Sequence, residues 1–191
     1  AEGVWRVPKD LPERGRQYDA QRLGGVSVEL RSHLPIERQV RVIGATWLDQ
    51  QLIDGASGIA DNGFGGEVRE ALRQRSDFLV EQGLAERRGS RVVLARNLLA
   101  TLRDRELAAA GKSLQDATGL SFRPIHDGAR VSGLYRRSLQ LVSGRFAMLD
   151  DGMGFSLVPW KPVVEQRLGQ QVSAIVRGTS VTWELGRQRG C

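Results

Sequence analysis

From Gly128 onward, apolar side chains recur at every second position in short runs separated by glycine-containing turns. A period of two sends alternate residues to opposite faces of an extended strand, so this stretch must bury a sheet face rather than a helical stripe. "RVSGLYRRSLQLVSGRFAMLDDGMGFSLVPW" reads as four short strands, and "QQVSAIVRGTSVTWEL" as two more joined by a tight turn. Between them "PVVEQRLG" reads as a short helix, opened by Pro162 at a favoured first-turn position and stopped by Gly169.

Short strands with one brief helix before the final hairpin predict a small closed β-barrel of the SH3-like kind over residues 128–191. Tyr135, Phe146, Phe155, Trp160 and Trp183 are the side chains to fill it, with a base-stacking surface as their alternative use. In such a barrel Pro159 and Pro162 fix the corner, Trp160 is anchored inside, and Val163, Val164 and Leu168 plug one end.

Upstream, the period changes. In "GGEVREALRQRSDFLVEQGLAERRGSRVVLAR" Val68, Leu72 and Leu79 share one helical face, widened by Ala71, Phe78 and Val80 and interrupted by Arg75. Gly83 suits the helix C-cap, and the residues after it read as a hairpin around Gly89-Ser90. Helix followed by a two-stranded wing is the second half of a winged helix-turn-helix. A further helix in "RNLLATLRDRELAAAGKSLQDATG" uses Leu98, Leu102, Ala109 and Leu114, with a break or cap near Gly111. Residues 63–127 are therefore expected to be helix, wing and helix.

Residues 1–62 form a third, mixed segment. "GVWRVPKDLPERGRQ" reads as a short strand and a proline turn, as if it were the tail of a preceding domain in a longer polypeptide. Val26, Val28 and Leu30, and again Val40 and Val42, predict two half-buried strands, and "ATWLDQQLIDG" a two-turn helix. The expected fold class is α+β, a winged-helix-like part followed by the barrel.

The net charge of +6 is uneven: residues 1–62 carry 8 basic and 9 acidic side chains, 63–127 carry 11 and 9, and 128–191 carry 9 and 4. Arginine outnumbers lysine 25 to 3, and the guanidinium fork matches phosphate oxygens, although a coding bias toward arginine explains the ratio equally well. Arg87, Arg88 and Arg91 crowd the wing, Arg136 and Arg137 sit together in the barrel's first turn, and Arg187 and Arg189 close the chain. Wings and turns reach phosphate backbones, so these seven are the DNA-binding candidates; a solvated basic surface is the competing reading.

Catalytic constellations are not legible. His33 and His126 fall in different modules, no Gly-x-Ser-x-Gly elbow is present, and Asp150-Asp151 is explained by a turn as well as by a magnesium site. "GFGGEVREAL" lacks the Lys-Ser/Thr of a nucleotide loop. No cofactor or metal is expected. The lone Cys191, the absence of a long apolar run and an N-terminus unlike a secretory signal point to the cytoplasm and away from a membrane.

Six stretches together resemble a known family: "GATWLDQQLI", "GFGGEVREAL", "LVEQGLA", "ARNLLATLRDREL", "SGRFAMLDDGMGFSLVPWKPVVEQRLGQQVSAIVRG" and "WELGRQRG". In order and content they are similar to the C-terminal region, itself a domain of unknown function, of relaxases encoded by conjugative plasmids and integrative elements. The resemblance runs from about Trp5 to Gly190. Relaxases nick one DNA strand at the transfer origin with a tyrosine and a histidine-bound metal, chemistry that belongs to their N-terminal domain. Tyr18 and Tyr135 here have no such partners, so no catalytic residue is carried over. The resemblance implies a non-catalytic bacterial accessory region that holds DNA at or near the origin of transfer. Its alternative is a protein-interaction module presenting the relaxase to the coupling protein or the type IV secretion channel.

Overall fold

The computed structural model describes residues 32–59 and 62–185. The chain divides into two compact units, Ala1–His33 and Leu34–Cys191. Only Ser32 and His33 of the first are described, so the expected strand around Val26, Val28 and Leu30 and the proline turn before it lie outside the described residues.

The second unit opens with a helical turn, α1 (Ile36–Gln39), and helix α2 (Trp47–Ile53). Thr46 caps α2: its hydroxyl receives the Asp49 amide while Asp49 receives the Thr46 amide, the reciprocal box that satisfies first-turn donors. Helix α3 (Phe64–Glu81) follows, then the hairpin β1 (Ala85–Arg88) and β2 (Arg91–Leu94), and the long helix α4 (Leu98–Thr118). Val40, Leu48, Val68, Ala71 and Leu72 form one core between the first three helices. Leu79, Leu84, Leu98 and Leu102 form another, joining α3, the hairpin and α4.

Val40 and Val42 do not form the expected strand, and the reason is Arg75. Its side chain is completely buried, and it donates from Nε and Nη2 to Asp49 at 2.8 Å each. The remaining donors reach the carbonyls of Gln39 (3.0 Å), Val40 (3.3 Å), Val42 (2.8 Å) and Gly44 (2.9 Å). Those carbonyls turn inward to a cation and are lost to any ladder. A guanidinium has five N–H donors, and all of them are met here.

The rest of the unit is one six-stranded sheet: β3 (Ser121–Phe122), β4 (Arg130–Leu141), β5 (Gly144–Asp150), β6 (Gly154–Pro159), β7 (Gln171–Arg177) and β8 (Ser180–Glu184), in the order β3-β6-β5-β4-β7-β8. A 3-10 helix, Pro162–Arg167, links β6 to β7. All pairings are antiparallel except β3 with β6.

Three expectations are corrected. The barrel does not close: β3 occupies the outer side of β6 at Gly154 and Phe155, and no ladder joins β8 to β6 or β3 among the described residues. That seam is bridged by a side chain, the Trp183 indole donating to the Pro159 carbonyl at 3.2 Å. Second, the predicted turn at Arg136-Arg137 is a β-bulge inside one continuous 12-residue strand. The β7 ladder ends at Leu134, where the β5 ladder begins, and the Tyr135 amide and carbonyl bond to Gln170 (3.0 Å) and Gly169 (2.8 Å). An extra residue on one strand bends it without a loop.

Third, the aromatics do not share one interior. Tyr135, Ala147, Leu149, Val158, Val172 and Ala174 cover one face of the sheet with Trp160 and Trp183 packed around them; Phe146, Met148, Phe155 and Leu157 cover the other and meet α4 at Leu107, Ala110 and Leu114. Val164 is buried beneath the first face, but Val163 and Leu168 are more than half exposed and plug nothing.

Helix α4 also runs unbroken through Gly111. A Cβ at that position would lie 2.4 Å from the Phe122 ring, so glycine is there for close approach, not for a break. At the far side of the same helix Glu106, 8% exposed, receives the amides of Val142 (2.6 Å) and Ser143 (2.9 Å) in the β4–β5 turn. The Ser143 hydroxyl in turn receives the Ala45 amide at 2.8 Å. The helical part and the sheet are thus tied by a hydrogen-bonded chain running from Arg75 through Gly44-Ala45 to Ser143 and Glu106.

Candidate nucleic-acid interface

Arg87, Arg88 and Arg91 are all exposed on the hairpin, Arg88 opposite Arg91 and Arg87 on the other face, and two of the three are already paired. Arg87 bonds to Asp77 on α3, a carboxylate that Arg73 also approaches at 3.5 Å. Arg88 donates to Glu86, two residues back on the same strand, at 2.9 Å and 3.1 Å. Arg91 has no acidic partner among the described residues.

Helix α3 would be the reading helix of a winged-helix domain, and its outward face is acidic. Glu67, Glu70, Asp77 and Glu81 stand there against Arg69 and Arg73. Glu70 accepts two bonds from Arg73 (2.5 Å and 2.9 Å) and one from Gln74 (2.7 Å). Those bonds, the one from Arg73 foremost, hold its carboxyl down to about 2. Arg41 closes on Glu81 at 2.6 Å. Four carboxylates facing a phosphate backbone oppose binding.

The second cluster lies at the β4 bulge. Arg136, Arg137, Ser138, Arg145, Glu165 and Leu168 line a depression of about 310 Å³. Arg136 donates from Nε and Nη2 to one oxygen of Asp150, at 3.0 Å and 2.9 Å. The Asp150 carboxyl titrates below its ordinary value, chiefly because the Gly152 amide bonds to it (2.8 Å) and then because of Arg136. Arg145, which the sequence did not single out, donates to the Ser138 hydroxyl (2.9 Å and 2.7 Å) and to Glu165 (3.2 Å), with its guanidinium 3.9 Å from the Trp160 ring centre. No local pattern marks it, because its partners come from β4 and the 3-10 helix. Arg137 is exposed and has no acidic partner among the described residues. The bulge brings Arg136, Arg137 and Arg145 to one depression; Arg187 and Arg189 lie outside the described residues.

Asp150 and Asp151 serve a turn. Asp151 Oδ1 receives the amides of Met153 and Gly154 at 2.9 Å each, and its other oxygen receives Arg123 at 2.9 Å. No group of three or more His, Cys, Asp or Glu side chains among the described residues is arranged to hold a metal, and no helix there is long and apolar enough to cross a membrane.

No curated protein and no solved structure matches the chain. The family described as a protein of unknown function, DUF3363, matches over residues 1–191, and the chain belongs to that family.

Proposed function

We propose that this chain is a non-catalytic accessory region of a bacterial conjugative relaxase that holds DNA through its phosphate backbone, at or near the origin of transfer, in the cytoplasm. The relaxase context rests on the ordered resemblance from Trp5 to Gly190. DNA contact rests on one observation above the others: Arg136, Arg137 and Arg145 converge on a depression whose lining has a single carboxylate, Glu165. The order α2, α3 and hairpin supports a winged-helix-like reading of the helical part, and the side-chain bridge across the β6–β8 seam supports an SH3-like reading of the sheet. Within that frame Arg91 and Arg137, both without acidic partners among the described residues, carry the phosphate contacts, and the paired Arg87 and Arg88 contribute less.

Fluorescence anisotropy of labelled single- and double-stranded DNA, titrated at several salt concentrations, tests the reading. Salt-dependent binding, losing a log-log slope of about 0.7–0.9 per phosphate contact removed by Arg137→Ala or Arg91→Ala, is the expected result. Absence of binding at low salt refutes it.

A second reading is favoured by the acidic face of α3. Glu37, Glu67 and Glu70 border an open groove of about 650 Å³ with Ile36, Val40 and Ala71 at its base. This surface suits a basic, partly apolar protein segment, as expected of a module that presents a relaxase to the coupling protein or the secretion channel. Binding to purified coupling protein that Glu67→Lys abolishes, with DNA affinity intact, would select it.

A further inference from the structure

A cleft of about 450 Å³ lies between α4 and the segment that follows it, lined by none of the bulge arginines. One wall is a helical stripe, Ala100, Arg103, Asp104, Leu107 and Ala108, spaced three and four residues apart so that all five face the same way. Phe122, Pro124 and Ile125 form the opposite wall, with Leu157 and Pro159 between them. His126 and Asp127 stand at the rim. The volume falls in the range of small-ligand sites, roughly 300–1,000 Å³.

Arg103 is the anomaly in this cleft. Its side chain is only 16% exposed, yet its nearest carboxylate oxygen, Asp104 Oδ1, is 3.7 Å from Nε, beyond hydrogen-bond reach. Among the described residues the guanidinium donates no hydrogen bond. The contrast with Arg75, buried and fully bonded, is complete. A guanidinium cannot shed its proton, and this one, with a single long ion pair to exposed Asp104 and no hydrogen bond, keeps its donors open to a further anion.

We infer that the cleft binds a nucleoside monophosphate unit, either free or as the terminal residue of a DNA strand. The phosphate meets Arg103, which matches it bidentately. The base lies between the apolar stripe of α4 and the Pro124-Ile125 segment, beside the Phe122 ring that packs on α4 at Gly111. Asp104 and the Asp127 oxygen not taken by the Gly178 amide accept from its amino group; an aliphatic anion has no donor to offer them and would meet only like charge. Preference for a nucleotide over other aromatic anions rests on the DNA-binding reading; the site itself does not.

The test uses the whole chain, titrated calorimetrically with dAMP, inorganic phosphate and a 5′-phosphorylated single-stranded oligonucleotide, with duplex affinity measured in parallel. The expected result is dAMP binding well above phosphate, weakened roughly tenfold or more by Arg103→Gln, with duplex affinity unchanged. Competition between dAMP and the oligonucleotide identifies a strand end as the source; binding of dAMP alone identifies a free nucleotide. Should Arg103→Gln fail to fold, Ala108→Phe, which fills the cleft from an exposed helical position, decides in its place. No dAMP binding, or binding insensitive to both substitutions, overturns the inference and leaves duplex binding through Arg91 and Arg137 standing. Loss of duplex binding alone refutes the DNA reading and not the cleft.

Discussion

The Arg87 guanidinium lies on the Asp77 carboxylate and joins the hairpin to helix α3. The hairpin therefore presents less positive charge than its sequence suggests. Arg87→Ala is expected to leave DNA affinity within about twofold, because an exposed ion pair of this kind is worth only about 0–1 kcal/mol and its arginine is already occupied. Asp77→Asn releases Arg87 and removes one carboxylate from the face of α3, while Arg73 stays on Glu70, and is expected to tighten low-salt binding severalfold. Anisotropy titrations of the two variants check the pair; a large loss with Arg87→Ala would place the wing in direct contact with DNA.

Arg75 and Asp49 should be the least replaceable residues of the helical part. Removing either partner of a buried pair costs about 3–5 kcal/mol, so Arg75→Met and Asp49→Leu are expected to unfold at much lower denaturant. For an isolated pair the double apolar replacement is often tolerated. Here it should not recover stability, since the carbonyls of Gln39, Val42 and Gly44 would lose their donor as well. Urea unfolding of the two single variants and the double variant decides.

Gly111→Ala ought to stabilise an exposed helix by about 1 kcal/mol from propensity alone. In this helix the new methyl would meet the Phe122 ring, itself packed on Phe155 with ring centres 5.4 Å apart. Overpacking of that kind costs about 1–3 kcal/mol, so a net loss of stability is expected. Ser113→Ala, two residues on and exposed, should show a small gain; thermal melts of both variants separate the two effects.

Glu106→Gln is expected to cost about 1–3 kcal/mol, because one of the two amides it receives, Val142 or Ser143, would face an NH2 group instead of an oxygen. Exchange of those two amide protons, slow in the parent, should quicken in the variant more than exchange within β5 does.

Asp150 makes stability depend on acidity. Its native carboxyl titrates below the unfolded value, so its contribution is complete above the unfolded value of about 4 and declines as pH falls through the lower native value. Asp150→Asn should therefore lose stability at neutral pH and show a shallower acid limb than the parent. Unfolding midpoints measured from neutral pH into the acid range check it.

The elements themselves were largely legible. The two-turn helix in "ATWLDQQLIDG", the Gly89-Ser90 turn, the apolar stripe of α3 and the alternation after Gly128 each map onto an observed element. What local pattern misread is long-range. Arg75 looked like an interruption of an apolar face because its partners are 26 to 36 residues away. Gly111 looked like a break because Phe122 is invisible to helix periodicity. Arg136-Arg137 looked like a turn because a bulge and a turn place polar pairs alike within an apolar alternation. The run Phe146-Ala147-Met148-Leu149 held the clue to burial on both faces, since every residue in it is apolar where one-sided burial would alternate. Of the candidate arginines, Arg136 and Arg137 do lie side by side, at a bulge instead of a turn, but sequence could not distinguish occupied guanidiniums from vacant ones.

The Trp183–Pro159 bridge bears on how the sheet behaves in a crowded solution. A strand with an open edge is a template for another chain, and among the described residues this sheet has two edge strands, β3 and β8. One, β3, is only two residues long and is followed within two residues by Pro124, which has no amide to donate. The other, β8, is held toward β6 by its own indole. Trp183→Ala would free β8 to pair with a second molecule, turning a strand that borders the sheet into one that begins a polymer.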